Sequence, residues 1–422
     1  MNRISRLAPL LLTATFLSLT ARASESPLRY SELPEKLRQG NSHWESARMD
    51  LSSAESRTGH LGRSFLPRLQ AEGGGEAFSV HHQRRAMSQP FGSLVASVNA
   101  LNGGRDYLEN QSRNADRDAA IAKEREIATR ELLQTRQTYL KLMNLKAAIR
   151  LLEKALKEND TNEAAARSRI QAGLATQTDL LEFKMYRSQL DQDLAQAQVD
   201  ARSEQRELLA LLGMPPESSL EIESDLPHSH AAEKKEVPPH WSLLALQAEE
   251  AKADALHWAA SAWWAPSLDL YAGAGVHTLR EFETADLHQW NERYVGARVT
   301  VTLFDGWVGR SEKHAEQKRS QARRLELAQT RRELDAQVSR ARWQIQVTHD
   351  LLEAAEAAVQ VGDEYLDKTL GEYRRGVKNS PDVLGACQKA LELRRRAVNL
   401  KRDHLMAEAD LRSLQGEGTQ AL

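Results

Sequence analysis

Cys387 is the one cysteine in 422 residues, so no disulfide framework can form within the chain. A lipid-anchoring cysteine after a leader is missing as well. Lys and Arg number 57 against 59 Asp and Glu, a balance without the basic excess of a nucleic-acid-binding face. Beyond the first residues, no apolar run reaches the ~20 residues of a membrane-spanning helix. The mature chain is therefore expected to be soluble or to cross a membrane as strands. No nucleophile elbow, phosphate loop or His-Glu-x-x-His run occurs, so neither an enzyme nor a cofactor is expected. His228-Ser229-His230, with Asp225 nearby, and His81-His82 are pairs where a metal needs three or four converging ligands, and no metal site is expected from them.

The first residues read as a secretory leader. Arg3 and Arg6 supply positive charge, Leu7 to Leu19 an apolar stretch, and Ala21-Arg22-Ala23 a small-x-small cleavage site. Residues 1–23 are thus expected to be removed, leaving Ser24 first.

What fills the rest is a duplication. Gly173 opens Gly-Leu-Ala-Thr-Gln-Thr-Asp and Gly376 opens Gly-Val-Lys-Asn-Ser-Pro-Asp, 203 positions apart. Asp179 and Asp382, Gly103 and Gly306, and Gly213 and Gly416 keep the same offset. Pro67 and Pro266 differ by 199, a slip assigned to the loop between two strands, where insertions cost little. A period this long is one structural unit made twice, not a solenoid repeat. The expected organisation is a first unit over 24–213, a polar linker over 214–239, a second unit over 240–416 and a tail over 417–422.

Each unit begins with a helical, largely polar stretch and two strands. Leu69, Ala71, Gly73, Gly75 and Ala77 alternate with Arg68, Gln70, Glu72 and Glu76. Leu94, Ala96, Val98 and Ala100 alternate with Ser93, Ser97 and Asn99. In the second unit the oily sets are Leu268, Leu270, Ala272, Ala274 and Val276, then Val295, Ala297, Val299, Val301 and Leu303. Period-two alternation means a strand with one oily and one wet face. Lengths of ~9–11 residues would cross an outer membrane when tilted. Trp263-Trp264, Trp290 and Tyr294 lie near strand ends, where an interfacial girdle or ordinary packing would each place them.

Proline and glycine are missing from 105 to 169, which predicts a helix about 100 Å long at ~1.5 Å per residue. Ile121, Ala128, Leu142, Ile149 and Leu156 fall on one seven-residue grid, with Thr135 the polar exception. Leu334, Val338, Ala341, Ile345, Thr348, Leu352, Ala355, Val359, Gly362 and Leu366 alternate steps of four and three, a heptad seam. Each helix turns at its glycine and returns. Ser380-Pro381-Asp382 reads as a start signal, with Ser380 as N-cap, proline first in the helix and an acid at the positive dipole end.

Four strands cannot close a barrel, which needs about eight. If they cross a membrane, several chains must share one barrel, because an open edge is not tolerated in lipid. Helices that continued such a barrel would form a hollow tube.

The run Val299-Thr300-Val301-Thr302-Leu303-Phe304-Asp305-Gly306-Trp307, the Arg-rich helix after it, and Tyr373-Arg374-Arg375-Gly376 through Asp382-Val383-Leu384 resemble the TolC-like outer-membrane efflux channel family. The duplicated layout extends the resemblance over essentially the whole mature chain. It implies a mainly α chain with a β part: antiparallel coiled-coil hairpins building an α-barrel, and four strands per chain in a trimeric twelve-stranded transmembrane β-barrel. It implies a homotrimer in outer-membrane lipid with a large periplasmic portion, a periplasmic adaptor and an inner-membrane transporter as partners, and no nucleic acid. The implied activity is passage of substrates to the outside in tripartite efflux or type I secretion.

In that family an acidic ring narrows the periplasmic tip. Asp382 matches its first position, and Gly385 stands where the second acid would be. Lys378 matches a basic residue that ties neighbouring hairpins, a weaker tie than a bidentate arginine. Gly173, Leu174, Thr176 and Asp179, with Gly376, Val377 and Ser380, occupy the tips that would meet an adaptor. A periplasmic adaptor would need more β segments than the chain has. A coiled-coil scaffold leaves the strands unexplained. Both remain the alternatives to be tested by membrane location.

Overall fold

The computed structural model describes residues 27–80, 85–223, 226–227, 240–281 and 287–416. The leader, His81-His82 and His228-Ser229-His230 lie outside these residues. Three short helices come first: α1 (Leu33–Gly40), α2 (Ser42–Ser56) and α3 (His60–Ser64). Strands β1 (Arg68–Val80) and β2 (Arg85–Asn102) follow, then helices α4 (Arg105–Gln171) and α5 (Gln177–Leu211). The pattern returns as α6 (Trp241–Ser261), β3 (Ser267–Glu281), β4 (Leu287–Thr300), α7 (Val308–Arg374) and α8 (Ser380–Leu414).

The two halves are metrically alike. Helices α4 and α7 each hold 67 residues, α5 and α8 each hold 35, and both pairs start 203 positions apart. Left-handed glycines punctuate both halves, with φ +59° and +71° at Gly103 and Gly306, +73° and +82° at Gly173 and Gly376, and +66° and +67° at Gly213 and Gly416. Such angles cost a glycine little and a side chain much. Gly104 (φ +78°) breaks the match, because its counterpart is Trp307 at +69°.

One antiparallel sheet holds all four strands in the order β1-β2-β3-β4. Arg68 pairs with Ser97 in the first hairpin and Ser267 with Thr300 in the second, which preserves the offsets of 199 and 203. The strands run to 13, 18, 15 and 14 residues, longer than the alternation alone predicts. Strand β4 stops at Thr300, so Val301 and Leu303 belong to the junction with α7.

Register puts Leu69, Leu94, Leu270, Ala297 and Val299 on one face and Glu72, Ser97, Asn99, Asp269 and Arg298 on the other. On the polar face Asn99 Nδ2 donates to Asp269 Oδ1 at 2.9 Å. Tyr271 faces Gly296 across the ladder and Tyr294 faces Gly273. Each ring lies over the opposing glycine, where a Cβ would collide with it. The two rings sit 6.1 Å apart. Tyr294 therefore occupies the polar face, not a girdle, because it shares parity with Arg298. Exposed Trp264, Phe304 and Trp307 collect where the sheet meets the helices.

The expected seam of α7 is seen along its length. Ala341, Thr348, Ala355, Gly362 and Leu366 are buried, and Leu334, Val338, Ile345, Leu352 and Val359 are half-buried. Gly362 leaves room for Leu393 of α8, which a Cβ there would strike at 2.6 Å. In α4, Thr135 is fully buried, and its hydroxyl donates to Glu131 O at 2.7 Å. Ile121 departs from the grid and is exposed. Near the sheet α4 packs against α2 and α6 instead of α5 and α8, and a straight helix drifts off a seven-residue repeat.

The main core gathers around the middle of α4. Leu132, Tyr139, Leu142 and Met143 meet Leu33, Leu37 and Trp44 from the N-terminal helices and Leu208 from α5. The stretch after α5 is more than a polar linker. Ile222 bridges Leu28 in parallel, and Leu220, Ile222 and Leu226 pack into the same core. Tyr139 donates its hydroxyl to Leu28 O at 2.7 Å. Carboxylates buried here find donors: Trp44 Nε1 reaches Glu124 Oε1 at 2.5 Å and Asn41 Nδ2 reaches Glu131 Oε2 at 3.1 Å. Unpaired, each buried charge would cost several kcal/mol. Among the described residues no helix is long and apolar enough to cross a membrane.

Candidate functional site: the hairpin tips

The ends of the two hairpins farthest from the sheet are built alike. At the first, Gly173 N donates to Ile170 O at 3.0 Å and Leu174 N to Arg169 O at 2.8 Å. At the second, Gly376 N donates to Tyr373 O at 3.0 Å and Val377 N to Glu372 O at 3.0 Å. Both are helix stops that use the glycine's left-handed angle to satisfy the last carbonyls. Leu174 and Val377 then stand exposed at the two tips.

The return helices begin with matched capping boxes. Thr176 N donates to Asp179 Oδ2 at 2.7 Å, and Asp179 N donates back to Thr176 Oγ1 at 3.3 Å. Asn379 N donates to Asp382 Oδ2 at 3.2 Å. The N-cap of α8 is therefore Asn379, with Ser380 first in the helix and Pro381 second. The expected Ser380 cap is displaced by one residue, because an acid reaches back best from the third helical position, and Asp382 is three beyond Asn379.

Freed from capping, Ser380 links the two hairpins. It is buried, its Oγ lies 3.5 Å from the Tyr373 hydroxyl, and its side chain is near enough to Asp179 to favour the charged carboxylate. The Thr176 backbone bond, helped by the Thr176 and Ser380 hydroxyls, outweighs burial and holds the Asp179 carboxyl below the usual carboxylate range. A stronger link comes from Arg169. Its guanidinium donates to Tyr373 O at 2.5 Å and lies 4.3 Å from the centre of the Tyr373 ring. Behind it, Phe183 and Tyr373 meet edge-on at 6.4 Å, packed with Ala166 and Val383.

Asp179 is thus brought near Ser380, while Gly173, Leu174 and Thr176 form the first tip and Gly376 and Val377 the second. Asp382 and Lys378 are half-buried at that tip, and Lys378 joins no ion pair among the described residues. At the tips the tie between the two hairpins is Arg169, which the sequence alone did not single out. Its signal is a basic residue in the last turn before Gly173, a common partner for helix-end carbonyls. No cluster able to hold a metal occurs among the described residues.

Residues 240–417 match the family model described as outer membrane efflux protein. The outer membrane efflux protein BepC of Brucella suis biovar 1 (strain 1330) is 25% identical over 298 residues, covering 68% of this chain and 63% of that protein. The match thus spans under two thirds of that relative's length. The outer membrane protein VceC of Vibrio cholerae superposes with a TM-score of 0.79 at 18% identity, over 92% of this chain and 96% of that one. The CmeC outer membrane channel of Campylobacter jejuni gives 0.78 at 13% identity, over 92% and 86%. The MtrE outer membrane channel of Neisseria gonorrhoeae, solved in an open state, gives 0.75 at 17% identity, over 92% and 89%. The fold, with its long helical hairpins and four-stranded sheet, is shared with all three.

Proposed function

From the match of residues 240–417 to the family model described as outer membrane efflux protein, we propose that the chain is one third of a trimeric outer-membrane channel, made of two structural units over 24–213 and 240–416. It conducts substrates outward from an inner-membrane transporter and a periplasmic adaptor, in efflux or type I secretion. The observation that carries this reading is the sheet: one face apolar, one polar, and both edges, β1 and β4, without a partner strand among the described residues. A soluble domain would cover the apolar face with its own helices. Here Leu69, Leu94, Val295 and Val299 are exposed on it, and lipid is the solvent they fit.

The hairpins extend the barrel into the periplasm, and their tips form its inner mouth. Three Asp382 carboxylates near one axis repel each other and attract cations. The repulsion is offset by the helical seams and by ties such as Arg169 to Tyr373. An adaptor touching Leu174, Thr176 and Val377 would shift the tips toward opening by binding that state more tightly.

The experiment is native mass and single-channel conductance on protein extracted from outer membranes in detergent. A three-chain particle that conducts supports the reading. A monomer or dimer in the periplasmic fraction overturns it and leaves an adaptor or scaffold. In the conducting trimer, Asp382→Ala should reduce selectivity for cations over anions. An unchanged reversal potential in a salt gradient would remove Asp382 from the gate.

A further inference from the structure

The strands sort their charges by face. On the polar face both signs mix, with Glu72, Asp269 and Glu292 beside Arg68 and Arg298. Register puts charge on the apolar face at two positions, Arg293 of β4 and Arg280 of β3. Both are arginine. No acidic residue shares that face on any strand among the described residues.

Arg293 marks the point where this face of β4 turns polar. Val295, Ala297 and Val299 lie on its helix side, and Asn291 and Gln289 lie beyond it. Exposed Val301 and Leu303 continue the apolar run toward α7. Leu303 and Arg293 are ten positions apart. At ~3.3 Å per strand residue and a tilt of ~40°, that is at most about 25 Å of height. A lipid-facing apolar band is ~25 Å tall. Arg293 therefore stands at the outer rim of the band, and its long side chain carries the guanidinium toward water.

Arg293 is exposed, and its side chain joins no hydrogen bond or ion pair among the described residues. Across the ladder it faces Ala274, with Ala272 and Val276 diagonal to it. In a closed barrel the strand beside β4 would be a β1, which has no acid on this face. A neighbouring copy therefore supplies no counter-ion in any register that keeps the faces. A guanidinium at a lipid rim with no protein partner is complementary to a phosphate, which it holds with two parallel bonds. Exposed Asn291 and Gln289 offer amides farther out along the same face, where sugar hydroxyls would follow the phosphate.

We propose that Arg293, with Asn291 beyond it, binds the phosphate of a phosphorylated glycolipid in the outer leaflet. The site rests on the outer-membrane channel reading, which puts this face in lipid and the loop ends of the strands outside. A simple phospholipid headgroup shares the phosphate but has no sugar to meet Asn291 and Gln289.

The test is native mass spectrometry of the detergent-extracted particle, with diphosphoryl lipid A as the probe. The parent should bind it. Stripping the phosphates from the lipid should weaken binding about tenfold, the loss of one charge-assisted contact. Arg293→Gln should lose the same factor and no longer distinguish intact from stripped lipid. Arg293→Lys should lose less, because it keeps the charge without the fork. A three-chain particle in which the parent and Arg293→Gln bind lipid A equally overturns the site and leaves the channel standing. Phosphatidylglycerol bound as tightly as lipid A, with the same dependence on Arg293, overturns the choice of a glycolipid. A monomer in the periplasmic fraction overturns channel and site together. If Arg293→Gln does not assemble, the parent decides alone: equal binding of intact and stripped lipid, or of neither, leaves no phosphate site.

Discussion

Trp307 occupies a left-handed backbone angle that Gly104 fills in the other half. A side chain at that angle is strained by about 1 kcal/mol relative to glycine. The ring is 62% exposed, edge-on to Phe304 at 6.0 Å and 5.6 Å from the Arg310 guanidinium. Strain kept for an exposed aromatic points to a role outside the single chain, and the sheet-helix junction is where a bilayer interface would fall. Two substitutions separate strain from contact. Trp307→Gly and Trp307→Ala both lose the ring, but only glycine relieves the backbone, so the glycine variant should be about 1 kcal/mol more stable in urea unfolding from detergent. Equal stabilities would mean that the angle costs nothing there.

At the scale of elements, Cys387 reports on how firmly the hairpins are joined. It sits two turns into α8 and accepts a hydrogen bond from Asn162 Nδ2 of α4 at 3.7 Å. Burial pushes its thiol up to about 11. Reaction with a maleimide needs the thiolate, so native labelling at neutral pH should be slow. Return to an ordinary thiol value speeds it about a hundredfold. Arg169→Ala removes the tie between the tips and should raise the labelling rate several-fold without unfolding the helices. A rate unchanged from the parent would mean that Arg169 does not hold the hairpins together.

The elements were also the most legible part of the sequence. Missing proline and glycine, the glycines at a constant offset and the heptad seam of α7 located both hairpins, because each signal is local. Less legible were features that depend on a neighbour. Leu220, Ile222 and Leu226 alternate with Glu221, Glu223 and Asp225 over a run too short to mark an element in a polar stretch, yet each enters the core beside α4. Ser380 reads as a cap until the spacing from Asn379 to Asp382 is measured against that from Thr176 to Asp179. Arg169 is one basic residue among many on a charged helix, and only the approach of Tyr373 gives it a role.

For the whole molecule, the chain is a pair of like halves joined by one seam. Six such halves in a closed trimer would turn through about 60° at each joint, since a closed ring must complete one rotation. Three of those joints lie inside chains, where α4 meets α6 and α8, and their angle is fixed by folding. In the proposed trimer, the curvature of the ring would therefore be written in the interior of each subunit before any two subunits meet. A substitution at the Asn144 to Asn399 contact (3.0 Å), far from either open edge, could change how many chains it takes to come full circle.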